Sequence, residues 1–252
     1  MVSEFAGALG GPALQRGIGV IAPYDLALDR ELWRWTPPEV SLHLTRTPFV
    51  PVPVTTEQAG LISDEAMVQG VTRDLLVPGP EVVAYACTSG SFVAGAAGER
   101  ALVEVMLAAG APAAVTTSGA LVRALLALRM SRVAVATPYV VEMTSLLEVF
   151  LGEHGVEVIT SVGLGLPGEI WKVPYRRVVE MVRAADHPEA EAVFVSCTNL
   201  PTYDIIGPLE QELCKPVLTA NQVTIWAALQ AMGLSAVSEG QSLGGLADAP
   251  AA

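Results

Sequence analysis

The chain has 252 residues, of which 52% are hydrophobic and 16% charged, and its formal net charge is −12; the mean hydropathy is +0.48. That length builds one large α/β domain or two small ones, and the acidity, without any grouped Lys and Arg, excludes nucleic acid as the main partner. No apolar stretch of about 18 charge-free residues is present to cross a membrane, and the N-terminus shows no basic region followed by an apolar run, so the expectation is a soluble cytoplasmic protein.

In chain order, residues 1–16 carry no periodic pattern and are expected to be loose. Strands are then predicted over 17–22, 40–45, 81–86, 113–116, 132–136, 156–160, 192–196 and 217–219. Helices are predicted near 27–35, 57–76, 92–109, 119–129, 140–154, 169–185, 203–213 and 221–232. The tail over 238–252, rich in Ser, Gly and Ala, is expected to be loose as well. Unbroken apolar strands that alternate with helices imply parallel sheets buried on both faces, joined by right-handed crossovers. Three cysteines make no disulfide framework. The three histidines are scattered, and no Cys/His spacing matches a zinc site, so no metal is expected.

The pattern repeats. Gly19-Val20-Ile21-Ala22-Pro23-Tyr24 is echoed by Val133-Ala134-Val135-Ala136-Thr137-Pro138-Tyr139. Each strand–Pro-Tyr unit is followed by a strand ending in Cys-Thr. The spacing is 64 residues from Pro23 to Cys87 and 59 from Pro138 to Cys197. An ordered double match predicts two similar α/β halves, 17–118 and 119–233, with the final helix and strand free to cross over. Their strand ends would converge on one cleft, where α/β folds place ligands.

Cys87 and Cys197 therefore lead the candidate residues. Cysteine at a strand end is often a small buried apolar residue. Here Thr88 and Ser89 follow the first and Thr198 and Asn199 the second, placing hydroxyls and backbone N–H groups beside each sulfur, where they favour a thiolate or hold a carboxylate. Tyr139 and Tyr24 open the loops after the matching Pro residues and are further candidates. Asp25 either faces the site or caps the helix beginning near Ala27. Ser118, with Thr116 and Thr117, could donate to an anion or cap a helix. Arg46 leaves a strand and could meet an anionic substrate. Asp29, Arg30 and Glu31 read as a helix surface, and Cys214 reads as structural. Iodoacetamide is expected to label Cys87 or Cys197 faster than Cys214.

At Ala86-Cys87-Thr88-Ser89-Gly90-Ser91, Ala136-Thr137-Pro138-Tyr139 and Ser196-Cys197-Thr198-Asn199-Leu200 the chain resembles the aspartate/glutamate racemase superfamily. Within it, the likeness is to the maleate cis-trans isomerase and arylmalonate decarboxylase branch, over about 17–233. The resemblance implies two pseudo-symmetric Rossmann-like halves around a cofactor-free site for a small carboxylate, in a homo-oligomer (dimer or tetramer). It implies Cys87 as nucleophile, Cys197 as the proton-handling cysteine and Tyr139 as a substrate contact. The isomerases carry an Asn near the position of Asp25 and a second one near Pro167–Ile170; this chain has neither. The decarboxylases of the branch retain only the second cysteine, so the presence of Cys87 ranks isomerisation first. Racemisation between two opposed thiols follows and decarboxylation comes third. A non-catalytic small-acid binder is a further alternative of a different class.

Overall fold

The computed structural model describes residues 15–245. Strands β1 (Arg16–Ala22), β2 (Val40–Arg46), β3 (Val82–Tyr85) and β4 (Ala114–Thr116) form one all-parallel sheet in the order β2-β1-β3-β4. Strands β5 (Arg132–Thr137), β6 (Glu157–Gly163), β7 (Ala192–Val195) and β8 (Val217–Thr219) form a second in the order β6-β5-β7-β8. The two sheets share one topology, so the echo in the sequence is an echo in the fold. Strands β3 and β7 are buried at every position, as expected where helices cover both faces, while edge strand β6 is partly exposed along its length.

Helices α1 (Asp29–Trp35), α2 (Thr56–Leu61), α3 (Glu65–Leu75), α4 (Thr88–Phe92), α5 (Gly95–Ala108) and α6 (Thr117–Leu128) accompany the first sheet. Helices α7 (Val141–Glu153), α8 (Tyr175–Ala185), α9 (Tyr203–Leu213) and α10 (Ala220–Ala231) follow in the second half of the chain. Three predicted helices divide, each for a local reason. The stretch 57–76 breaks at Ile62–Asp64, because Thr55 caps α2 through the Gln58 N–H and Asp64 caps α3 through the Met67 N–H. The helix predicted from residue 92 instead starts at Thr88 and restarts at Gly95, whose φ of +67° no helix interior accommodates. The stretch 169–185 keeps a short 3-10 turn at Ile170–Lys172, and α8 begins only after Pro174.

Strand β8 stays in the second sheet, but α10 packs against α6, β3, β4 and α1 of the first half. The hydroxyls of Thr117 and Thr224 meet at 2.8 Å across that contact. Two segments expected to be loose are held where they are described. Arg16 already pairs in β1, and its guanidinium engages Glu81. Over 238–245, Leu243 is buried, and the Gln241 Oε1 accepts from Trp35 Nε1 at 2.8 Å and Gln222 Nε2 at 2.9 Å. The remaining terminal residues, 1–14 and 246–252, lie outside the described residues.

Candidate active site

In each sheet the chain builds outward in opposite directions from the central pair, β1/β3 or β5/β7. The loops leaving those two strands therefore part, opening a crevice at their carboxyl ends. The four loops in question begin at Pro23, Cys87, Pro138 and Cys197. All four enter the lining of one cleft of about 320 Å³, mouth included, through Pro23, Asp25, Cys87–Ser89, Tyr139 and Cys197–Asn199. Both sulfurs therefore face the same small space, one from each half.

Cys87 is the N-cap of α4, in extended conformation at φ −138°, and is 3% exposed. Its Sγ accepts the Gly90 N–H at 3.4 Å and lies 3.6 Å from Ser89 Oγ. Burial pushes its pKa up to about 11; the Gly90 N–H and the Ser89 hydroxyl pull the other way, while the Asp25 charge adds to the rise. Gly90 has no room for a side chain, since a Cβ would stand 2.3 Å from the Tyr85 hydroxyl. That hydroxyl in turn donates to the Ile62 carbonyl at 2.7 Å.

Cys197 sits at φ +87°, a left-handed conformation that costs a non-glycine residue about 1–3 kcal/mol and that clusters at functional sites. Its Sγ accepts the Asn199 N–H at 3.4 Å. Burial pushes this thiol up to about 12, against the Asn199 N–H and the Tyr139 hydroxyl, with Asp25 and Cys87 adding charge repulsion. Tyr139 itself is buried, packs its ring edge-on to Phe92 with centroids 6.2 Å apart, and has its phenol pKa held well above normal by burial. Burial thus favours the protonated form of both thiols.

Residues 55–243 match the arylmalonate decarboxylase family. The chain belongs to this family, in the branch it shares with the maleate isomerases. Arylmalonate decarboxylase of Bordetella bronchiseptica is 32% identical over 176 residues, covering 67% of this chain and 73% of that one. Maleate isomerase of Nocardia farcinica is 28% identical over 232 residues, covering 87% of this chain and 91% of that one. A solved structure of the Nocardia farcinica maleate cis-trans isomerase carrying a covalently bound succinylcysteine intermediate superimposes with a TM-score of 0.78. It is 25% identical, over 87% of this chain and 94% of that one.

Among the residues singled out in the sequence, Cys87, Cys197, Tyr139, Thr88, Ser89, Thr198, Asn199 and Asp25 line this cleft, and Tyr24 and Ser118 do not. The Tyr24 ring stands edge-on to Phe49 at 5.2 Å, and its hydroxyl accepts from Gln58 Nε2 at 3.4 Å. Ser118 supports the Cys87 loop from behind: its Oγ accepts from Ser91 Oγ at 2.7 Å and donates to the Thr88 carbonyl at 3.2 Å. Asn199 lines the cleft with its amide already engaged, accepting from the Ala27 N–H at 2.9 Å and donating to the Asp25 carbonyl at 3.0 Å. It clamps the halves together, with its amide oxygen and one amide hydrogen committed to the Asp25–Ala27 turn.

Asp25 is not a helix cap, because α1 starts at Asp29 after Leu28 with no side-chain cap. Its carboxyl is pushed above the ordinary range by burial, with its own backbone N–H, Asn199 and Arg46 pulling it back. Arg46 is turned away from the cleft, its guanidinium donating to the carbonyls of Leu26 and Tyr24. Glu31 is the larger surprise. Read as surface, it is buried and accepts from the Thr202 and Tyr203 N–H groups, the Thr202 hydroxyl and Asn221 Nδ2. Asn221 Nδ2 also donates to the Thr198 carbonyl at 3.0 Å, so this network fixes the loop that carries Cys197. Burial raises the Glu31 pKa against those four donors.

Cys214 is exposed at the end of α9, whereas both cleft thiols are buried. Access therefore favours the surface sulfur in alkylation of the unliganded protein, the opposite of the order expected from the sequence. Val54, Gln58, Ile62 and Ile170 complete the cleft without having been singled out in the sequence. A Gln within an amphipathic helix and aliphatic residues in loops carry no sequence signal that separates a site wall from packing.

Proposed function

We propose that the chain is an isomerase that interconverts the cis and trans forms of a small unsaturated carboxylic acid of the maleate type, through a covalent adduct with Cys87. The observation that carries this reading is two buried cysteines, one from each half, facing one small cleft. Once deprotonated, the Cys87 sulfur adds to one alkene carbon, and the electron pair moves onto the neighbouring carboxylate-bearing carbon. Cys197 donates its proton to that carbon, leaving a single C–C bond that rotates. The Cys197 thiolate then removes the proton, the double bond reforms, and the Cys87 sulfur departs.

The settings of the two thiols support these roles. Cys87 caps a helix, accepts the Gly90 N–H and lies beside the Ser89 hydroxyl, groups that would stabilise a thiolate and fit the nucleophile. Cys197, whose pKa burial pushes up, keeps the proton that a donor needs in this reading. Tyr139, which lines the same cleft, would contact the substrate in this reading. The related isomerase with a succinylcysteine intermediate supports the adduct step.

The test is incubation with maleate and a panel of other cis-unsaturated monoacids and diacids, with the trans product followed by proton NMR. Product formation that disappears in Cys87→Ser and Cys197→Ser is the expected result. A second reading, decarboxylation of a malonate at Cys197 alone, is favoured by the 32% identity to the Bordetella enzyme. It predicts carbon dioxide release from arylmalonate that survives Cys87→Ser.

A further inference from the structure

The charged side chains around the cleft disfavour a second carboxylate. Among the described residues, Asp25 is the only ionisable group in the lining besides the two thiols and the Tyr139 phenol, and no Lys, Arg or His lines it. Arg46 is occupied by main-chain carbonyls. One carboxylate can be received by the hydroxyls and N–H groups beside the sulfurs, but a second one placed beside Asp25 would leave water to stand next to another acid with no side-chain cation in the lining to pair it.

Two buried side chains in the lining have a polar atom without a partner. Thr88, 1% exposed, has an unpaired hydroxyl oxygen beside Cys87. Gln58, 2% exposed, reaches Tyr24 with its Nε2 and leaves its Oε1 unpaired. The Thr88 hydroxyl donates well to a single carboxylate. The Gln58 carbonyl asks for a ligand N–H instead, as does a carboxylate at Asp25. Buried polar groups that are left unpaired by the wrong ligand discriminate strongly, which makes these atoms specificity elements.

We propose that this cleft takes a singly charged cis-unsaturated acid whose other end is an uncharged carboxamide, with Thr88 on the carboxylate and Gln58 and Asp25 on the amide. A primary carboxamide offers both N–H and carbonyl, so it satisfies the edge of the Gln58 amide in either orientation while still donating to Asp25. The apolar residues Val54, Ile62 and Ile170 then enclose the uncharged end. The chemistry of this proposal rests on the isomerase reading, but the binding preference does not.

The experiment therefore separates binding from turnover. Succinate and succinamate, saturated and inert to thiol addition, are titrated by calorimetry into the intact protein, while maleate and maleamate are followed by proton NMR. Succinamate is expected to bind at least tenfold more tightly than succinate, and maleamate to have at least tenfold the kcat/KM of maleate. Asp25→Asn is expected to move both ratios at least tenfold toward the diacid. Gln58→Met, with little change in volume, should weaken succinamate and leave succinate nearly unchanged.

Equal or tighter binding of succinate, no detectable binding of either analogue, or ratios unmoved in both variants overturns the proposal. Thermal melts accompany each variant; should Asp25→Asn not fold, Gln58→Met decides. A tenfold preference for succinamate without turnover of either unsaturated acid upholds the binding assignment and removes the isomerase reading. Turnover of maleate at or above the rate of maleamate does the reverse.

Discussion

The two halves place a cysteine at the same point of the same topology but hold it by different means. Cys87 is secured by its own neighbourhood: it caps α4, receives the Gly90 N–H, and rests on Ser91 and Ser118 within the same half. Cys197 is held from outside. Its backbone is in a left-handed conformation, and the loop around it is tied by Asn199 to the Asp25–Ala27 turn and by Asn221 to Glu31. A duplicated fold thus gives equivalent positions without equivalent environments, which suits the opposite parts proposed for the two thiols.

The largest test of this asymmetry is removal of each sulfur. Cys87→Ser and Cys197→Ser should each lower isomerisation by at least about 10³-fold, because each supplies a covalent or proton-transfer step the other cannot. Only Cys197→Ser should retain the ability to form a stable adduct, detectable as added substrate mass on the intact protein. An adduct seen in Cys87→Ser instead would exchange the two roles.

Next comes the tertiary tether. Glu31→Gln places an amide N–H2 among donors only, costing about 1–3 kcal/mol, and it should lower kcat through the Cys197 loop. Ser91→Ala, in the self-supported half, should cost about 1 kcal/mol with a smaller loss of kcat. Thermal melts and steady-state rates compare the two, and equal effects would erase the distinction drawn above.

Titration provides a third measure. Both thiols are raised above the usual 9.0, to about 11 and about 12, by burial. The free protein holds protons that the reaction must remove, so kcat/KM should climb as pH rises from 7 toward 10. Stability runs the other way: above the ordinary thiol value the unfolded chain loses protons that the folded one keeps, so unfolding becomes easier through the folded values. A kcat/KM plateau already reached at pH 7 would show that the reacting thiol of the free protein is not raised, because this ratio reports the free enzyme's ionisations. The smallest effect is in labelling, where iodoacetamide should modify exposed Cys214 ahead of both buried sulfurs, as read by peptide mass spectrometry.

Much of this was legible in the chain. The eight apolar runs became eight parallel strands, since strands buried on both faces must be apolar throughout. The repeated Pro-Tyr and Cys-Thr units became four loops on one cleft, since strand ends at a switch point face each other in any fold of this kind. Errors arose where a residue's partner is far away in sequence. Glu31 meets residues 202, 203 and 221, and Gln241 meets residues 35 and 222. Neither a charged residue in a short helix nor a Gln in a Ser/Gly-rich tail announces such a contact.

What the sequence by itself determined is the periodic part: strand identity, the doubled topology, and two cysteines at matching strand ends. These follow from local hydrophobic patterning and from where loops must leave a parallel sheet. Only the tertiary structure decided the rest. It turned Tyr24, Ser118 and Arg46 away from the cleft, brought Gln58 into it, and engaged the Asn199 amide elsewhere. It also buried both sulfurs, which pushes their pKa values up. Side-chain direction, burial and hydrogen-bond satisfaction depend on which distant residues arrive alongside, and no window of sequence contains them.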